Sequence, residues 1–434
     1  MSNYIVAIDL GTSHITGIVG EKKTNGVFSI VSYESVETDA CIQRGIIYDS
    51  DETATHIGNI ITKLERSLKG AYIDKIYIGV GGQSLHTINH VEAMTIEDGD
   101  CVTEGDILAL KEQCSKFKPN LKDVLCIADT VYYLDEQKCT KPVGVLGRRF
   151  EAHYKLVVGR SSIRHRIAKS IETIQGKDLA GIIVSPLALA DAVLSPREKE
   201  LGCALVDFGA GVTSVSIFKD GDLQHLCVIP LGGKLITRDI SSLQLTRDEA
   251  EKIKKEKGSA ILPDEDDNEL IRIEMEGGDN EINLNNLNII IEGRAREIVE
   301  NVYARIHEVI ELKLLGAGIV MAGGGCELMN LPELLKDKCR VKVRVAIIKV
   351  GLVEGSDEML GNPLYMMAIS LMLKGTESCV SNIRIINDPK DTPPEEPEVT
   401  VEEEKQPVIT PKEPPKPTVK KRIKKIFDIF GEEE

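Results

Sequence analysis

The chain has 434 residues, 42% of them apolar, enough for a large core spread over two to four lobes of ~100–200 residues each. Aromatic residues make up 4% and Trp is absent, so that core must be packed from Ile, Val, Leu and Ala. Against 69 acidic side chains there are 53 basic ones, a formal net charge of −16, which disfavours nucleic acid as the main partner because a phosphate backbone asks for a basic face.

In chain order, residues 4–9 read as an apolar strand ending in Asp9, followed by a glycine turn through Leu10, Gly11, Thr12 and Ser13. Strands are predicted over 14–20 and near 28–33. Ile57, Ile60, Ile61, Leu64 and Leu68 recur at helical spacing, which predicts a helix over 52–68 with Asp51 as its N-cap. A strand over 76–80 closes at Gly81 and Gly82. An insert follows over 83–159, with a helix at 104–117 and strands near 124–134 and 150–158. The chain returns through a helix at 163–175 and a strand at 179–184 that runs into Ser185 and Pro186.

The opening plan then recurs. A strand over 203–207 ends in Asp207, a glycine turn follows through Phe208, Gly209, Ala210 and Gly211, and two strands span 212–218 and 222–229. Asp207 and Gly209 repeat Asp9 and Gly11 at one offset of 198 residues. After Gly232 and Gly233 come helices at 235–243 and 246–257, then an acidic, Asn-rich stretch at 264–288 whose run 264–267 reads as a solvated loop. A long helix is predicted over 290–315, then a strand over 317–321 leading into Gly323, Gly324 and Gly325, and a helix from about Asn330. The fold is expected to end near Arg384. Residues 387–418 hold nine of the seventeen prolines and almost no large apolar side chain, the composition of a disordered spacer.

Self-similarity at a fixed offset marks two related lobes. Two βββαβ lobes, each turning a strand-end Asp and a glycine-rich hairpin turn toward a shared cleft, make an α/β, two-lobed fold of the actin and Hsp70 kind. Such a cleft suits a nucleotide. Glycines let the backbone approach a phosphate, and consecutive N–H groups form an anion nest. Thr12, Ser13 and Thr213 add hydroxyl donors. Asp9 and Asp207 repel phosphate but can hold a hydrated Mg²⁺ that bridges to it, because Mg²⁺ keeps most of its waters. The bare turn Gly323–Gly325 lets an adenine ring lie against the backbone, and Glu251 and Lys254, three apart on one helix face, are candidates for the ribose and base. His14 reads as a strand residue beside the cleft rather than a catalytic base.

The chain resembles FtsA, the actin-like family of bacterial cell division, over residues 1 to about 386 and again at the tail. The resemblance is carried by 7–13, by 202–213, by 228–233 (which adds Gly233 to the nucleotide contacts), by 237–240 and 250–254, and by 318–325. These motifs are common to the actin, Hsp70 and sugar-kinase superfamily; the position of the insert and the tail single out FtsA. The resemblance implies a first lobe (1A) of 1–82 and 160–198, an inserted subdomain (1C) at 83–159 that serves self-assembly and divisome contacts, a second-lobe core (2A) of 199–236 and 300–386, and a subdomain (2B) at 237–299. In relatives that last region takes the C-terminal peptide of the tubulin-like FtsZ on basic side chains, for which Arg294 and Arg296 are the candidates here. One departure bears on chemistry. Vigorous ATPases of the superfamily carry Glu-Pro where this chain has Ser185-Pro186, and serine is no comparable base. Asp191 is expected on the helix that follows, so ATP binding with slow hydrolysis is the expectation.

The tail adds a membrane contact. Val419, Ile423, Ile426, Phe427 and Phe430 fall on one helical face within 419–431, with Lys420, Lys421, Arg422, Lys424 and Lys425 around the rest, the pattern of an interfacial helix on an anionic leaflet. The longest apolar run, 366–373, is too short to span a bilayer, and no basic-then-apolar leader opens the chain. Ten cysteines with no C-x-x-C pair read as buried, reduced thiols of a cytoplasmic protein. The expected whole is a peripheral protein at the division site that self-assembles, tethers FtsZ filaments and recruits later division proteins. The alternatives are another membrane-linked actin-like scaffold, for pilus assembly or cell shape, and a superfamily kinase or ATPase; a sugar kinase would need a catalytic Asp in the cleft that is not evident.

Overall fold

A computed structural model describes residues 3–38, 40–97, 100–262, 270–273, 280–355 and 357–381. The expected fold end near Arg384, the spacer and the tail helix lie outside them. The chain lays down β1 (Asn3–Leu10), β2 (His14–Lys22), β3 (Phe28–Glu37), α1 (Ser50–Glu65) and β4 (Lys75–Val80). The insert follows as β5 (His86–Thr95), α2 (Glu104–Lys116), β6 (Lys122–Leu134) and β7 (Arg149–Arg160). Then come α3 (Ser162–Glu172), β8 (Asp178–Val184) and α4 (Ser185–Val193). The second repeat is β9 (Cys203–Phe208), β10 (Thr213–Lys219) and β11 (Asp222–Ile229), then α5 (Gly233–Ile240), α6 (Arg247–Lys257) and α7 (Leu284–His307), then β12 (Gly318–Ala322), α8 (Leu331–Cys339) and β13 (Val343–Val345); α9 (Pro363–Met372) follows.

The two sheets share one plan. In the first the order is β8-β4-β1-β2-β3, and in the second the stretch β13-β12-β9-β10-β11 repeats it, with an antiparallel hairpin pair on one side and parallel strands on the other. Ile5, Val6, Ala7 and Ile8 of β1 are all fully buried, as a central strand covered on both faces requires. Gly17 of β2 admits Ile60 and Leu64 of α1 on one face, and Gly20, three residues on and so pointing the other way, admits Met372 of α9. A Cβ on Gly17 would lie 2.4 Å from the Ile60 side chain and one on Gly20 2.2 Å from Met372 Sδ. The insert does not stand apart: its strands continue the second sheet, through a bridge between His86 and Cys227.

Two expectations need correction, and further strands add to them. The cap of α1 is Asp49, not Asp51: Asp49 is extended and its carboxylate accepts from the amides of Asp51 and Glu52, both at 3.0 Å, which places Asp51 inside the first turn where its charge suits the helix dipole. The long helix runs Leu284–His307 rather than 290–315. The Asn283 side chain caps it earlier, and after Glu308 the chain leaves through a single 3₁₀ turn at Leu312–Leu314 toward β12. The run 264–267, read as a solvated loop, lies outside the described residues; after it Leu270–Ile273 pairs with Asn280–Asn283 and α7 begins at Leu284. Strand β5 is new. The alternation that would announce it is hidden because half of its more buried face is polar: His90 and Glu92 pair there at 2.7 Å, with the His90 ring stacked on Phe117.

Candidate functional site

Two hairpin turns meet at the cleft. Asp9 pairs with Thr16 across the first hairpin and Asp207 with Ser214 across the second. A Cβ on Gly11 would press to 2.6 Å on the His14 carbonyl, and one on Gly209 to 2.8 Å on the Val212 carbonyl, so the same tight turn is built twice. The turns touch: a Cβ on Gly211 would fall 2.5 Å from Thr12 Oγ1. Thr12 is also the point where other segments converge. Its hydroxyl accepts from the Gly45 amide at 3.0 Å, and its carbonyl accepts from Lys234 Nζ at 2.7 Å and from the Thr38 hydroxyl at 3.0 Å. Neither Gly45 nor Lys234 stood out in the sequence; Lys234 directly after Gly232 and Gly233 was the available signal.

The carboxylates at the strand ends are strongly perturbed. Burial, then the negative charge of Asp207, pushes Asp9 up to about 7. Burial pushes Asp207 up to about 6. Both keep part of their surface open to solvent at the cleft floor while protein surrounds them on the wider scale. Two acids held close without a cation between them resist ionisation, and a divalent ion reverses that balance.

The third turn closes on the same floor. Gly323 has φ +83° and ψ 163°, and a Cβ there would lie 2.4 Å from Asp207 Oδ1 and 2.5 Å from the Phe208 carbonyl. A Cβ on Gly325 would reach Phe208 Cβ at 2.7 Å, whereas Gly324 faces open space. At the start of α5, Gly233 N donates to the Gly209 carbonyl at 3.0 Å. Lys254 Nζ donates to Glu251 at 2.6 Å, to Thr237 at 2.9 Å and to the Gly233 carbonyl at 3.4 Å, and burial holds its ammonium below the usual lysine range. Glu251 and Lys254 thus sit directly behind the second turn. A Cβ on Gly232 would fall 2.6 Å from the Gly209 carbonyl and 2.7 Å from that of Ala210.

Other candidates fall differently. Thr213 is fully buried and its hydroxyl donates to the Leu231 carbonyl at 2.8 Å, so it holds the hairpin. His14 begins β2 and pairs with Ser13 Oγ at 3.1 Å; burial, ahead of the opposing pull of Glu37, lowers its pKa. Ser185 starts α4, is 2% exposed, and its hydroxyl has no hydrogen-bond partner among the described residues. Asp191 lies on α4 but faces Lys199, at 2.6 Å, and Lys374. Arg294 and Arg296 lie on α7: Arg294 pairs with Asp239 at 2.6 Å and with Glu297, and Arg296 with Glu292, its guanidinium more exposed than that of Arg294. All ten thiols are free, but Cys101 is exposed and four others are half-buried, so the expectation of wholly buried thiols holds for five.

The residues present fit a nucleotide with a divalent metal. The glycine turns are packed too tightly for any Cβ except at Gly324, which faces open space; the two acids at the floor resist ionisation in a way a cation would reverse; and the buried Ser185 hydroxyl has no hydrogen-bond partner among the described residues.

The sequence profile described as cell division protein FtsA matches residues 204–370, and that of the SHS2 domain inserted in FtsA matches 82–158. The chain is 31% identical to cell division protein FtsA of Porphyromonas gingivalis over 387 residues, covering 88% of this chain and 80% of that one. It is 30% identical to the Bacillus subtilis protein of the same name over 376 residues, covering 85% and 82%. Among solved structures, the PilM–PilN type IV pilus biogenesis complex aligns with a TM-score of 0.58 at 14% identity, over 85% of this chain and 97% of that one. MreB5 of Spiroplasma citri bound to ADP aligns at 0.50 and 13%, over 85% and 94%. At those identities the two structures speak for the actin-like fold alone.

Proposed function

Since the chain belongs to the FtsA family of cell division proteins, we propose that it binds ATP with Mg²⁺ in this cleft and tethers FtsZ filaments to the inner face of the cytoplasmic membrane at the septum. The observation that carries the nucleotide reading is the pair of raised carboxylates, Asp9 and Asp207, beneath two touching glycine turns. Gly11, Thr12, Ser13, Gly209 and Gly211 would hold the phosphates, Asp9 and Asp207 the hydrated Mg²⁺, and Gly233, Glu251, Lys254 and Gly323–Gly325 the ribose and base. When bound, the metal nucleotide would supply the positive charge that keeps both carboxylates ionised. Ser185 offers no strong base, so phosphate release from the purified protein is expected to stay below ~1 per second; turnover within the ~1–10³ per second usual for enzymes rejects this.

The tether reading rests on the family and on the tail. No helix among the described residues is long and apolar enough to cross a membrane. Residues 419–431 supply the interfacial face, and one helix of this size binds reversibly while a polymer presents many at once. The 83–159 insert serves self-assembly and later division proteins, and Arg294 and Arg296 meet the FtsZ C-terminal peptide. Co-sedimentation with anionic liposomes tests it: FtsZ should pellet only when this protein is present with residues 420–434 intact, and pelleting that survives their removal rejects the role given to the tail.

A further inference from the structure

Cys41, Glu52 and His56 present a sulfur, a carboxylate oxygen and an imidazole nitrogen that all lie within 4.8 Å of one another. Glu52 and His56 stand one turn apart on α1, so both side chains leave the same helix face, with His56 Nε2 3.8 Å from Glu52 Oε1. Cys41 reaches the spot from the loop before the helix. That loop is fixed by its own backbone: the amides of Tyr48 and Asp49 both donate to the Cys41 carbonyl, at 2.7 and 3.1 Å, and Ile42–Gln43 pairs with Ile46–Ile47 as a small hairpin. From this placement we propose that Cys41, Glu52 and His56 form a Zn²⁺ site, with water as the fourth ligand.

The donor set selects the metal. Mg²⁺ and Ca²⁺ take oxygen ligands, whereas one thiolate, one imidazole and one carboxylate suit a borderline-soft ion that favours four-coordination. Zinc bonds of ~2.0–2.3 Å at tetrahedral angles set ligand atoms roughly 3.3–3.8 Å apart. The Glu–His separation already meets that span, and the sulfur lies within about 1.5 Å of it. The necessary movement falls on the solvent-facing side chains: Glu52 is 45% and His56 23% exposed, while Cys41 is fully buried. The ion therefore enters from the Glu–His side. Burial raises the Cys41 thiol above its ordinary range, so it is protonated in the empty site. Binding releases that proton to solvent and leaves a metal-held thiolate. No cysteine-pair motif marks the site, because its ligands are brought together by the loop's fold. Gly45, within the hairpin that Cys41 anchors, is the donor to Thr12, so the ion would lie one hairpin behind the first glycine turn. The proposal does not depend on nucleotide binding.

A plain helix ion pair beside a core thiol is the competing account, and cobalt separates the two. The full-length protein, reduced and stripped with chelator, is titrated with Co²⁺ and then with Zn²⁺. We expect one equivalent of Co²⁺ with thiolate-to-cobalt absorption, displaced by Zn²⁺ and abolished in Cys41→Ala, with the unfolding midpoint raised by Zn²⁺ in the parent alone. Glu52→Gln and His56→Ala alter only the more exposed helix face, and each should weaken Co²⁺ binding at least ~10-fold with the circular dichroism spectrum unchanged. These two carry the test should Cys41→Ala fail to fold. No thiolate band in the parent protein, or a band of equal affinity in the variants, overturns the site.

Discussion

Asp207→Asn is expected to weaken Mg²⁺-dependent ATP binding about 10–100-fold while raising the unfolding midpoint of the ligand-free protein. The first effect follows from removing one of the two anions that would hold the hydrated metal, since charge-assisted bonds contribute ~1.5–3 kcal/mol each. The second follows from the carboxyl pair itself. Asp207 is raised to about 6 and Asp9 to about 7, above the ~3.9 of an unfolded aspartate. A folded state with raised acid pKa values binds protons that the unfolded chain has released, so it loses relative stability as pH rises from about 4 to about 7 and is level above that. At neutral pH the ligand-free protein carries the full penalty of two ionised acids. Asparagine removes one of them and relieves Asp9 of its charged neighbour. Partial solvent access reduces the gain to ~1–2 kcal/mol, about 1–2 °C in midpoint for a chain of this size. The same pair makes metal-nucleotide binding tighten as pH rises through 6 to 7, because only the ionised acids hold the cation. Thermal unfolding at pH 5, 6, 7 and 8, with and without Mg²⁺–ATP, in parent and variant, checks all three. A variant that is less stable than the parent at pH 8 without ligand removes the basis of this account.

What the sequence disclosed about this cleft was local. A strand that ends in aspartate and turns through glycine is written in five or six adjacent residues, so Asp9 with Gly11 and Asp207 with Gly209 were legible, and their repetition exposed the two lobes. Contacts made between distant segments were not. Gly45 reaches Thr12 from 33 positions away and Lys234 from 222, and no spacing rule links such residues. Thr213 misled for a related reason, since a hydroxyl beside a glycine turn looks available until the strand pairing buries it against Leu231. Element ends were lost to caps that hydropathy does not see. Asp49 and Asp51 are two residues apart and equally good caps by type; the extended backbone at Asp49 decides between them. Strand β5 was lost because a His–Glu pair replaces part of its apolar face.

The three consecutive glycines should separate by function when each is changed to alanine. Gly323→Ala is expected to cost about 2–6 kcal/mol of stability. Its φ of +83° with ψ of 163° lies in a region that only glycine occupies at low energy, worth ~1–3 kcal/mol. The new methyl would also sit 2.4 Å from Asp207 Oδ1 and 2.5 Å from the Phe208 carbonyl. Neither is the far end of a flexible chain: one is a backbone atom and the other a carboxylate held at the cleft floor, so the turn itself must shift, at a further ~1–3 kcal/mol. Because that shift displaces Asp207, nucleotide binding should fall with stability. Gly324→Ala meets nothing within 4 Å and has no left-handed backbone to strain, so its unfolding midpoint should match the parent within the scatter of a surface change, about 0.5 kcal/mol. If the adenine ring lies against this turn, the same methyl intrudes on the ligand instead of the protein, and affinity for ATP drops several-fold with stability intact. Urea unfolding paired with equilibrium nucleotide binding on the two variants distinguishes a turn that shapes the fold from one that receives a base. A Gly324→Ala protein with parental stability and parental ATP affinity would move the base elsewhere in the cleft, while leaving the metal site at Asp9 and Asp207 to be judged on its own pH dependence.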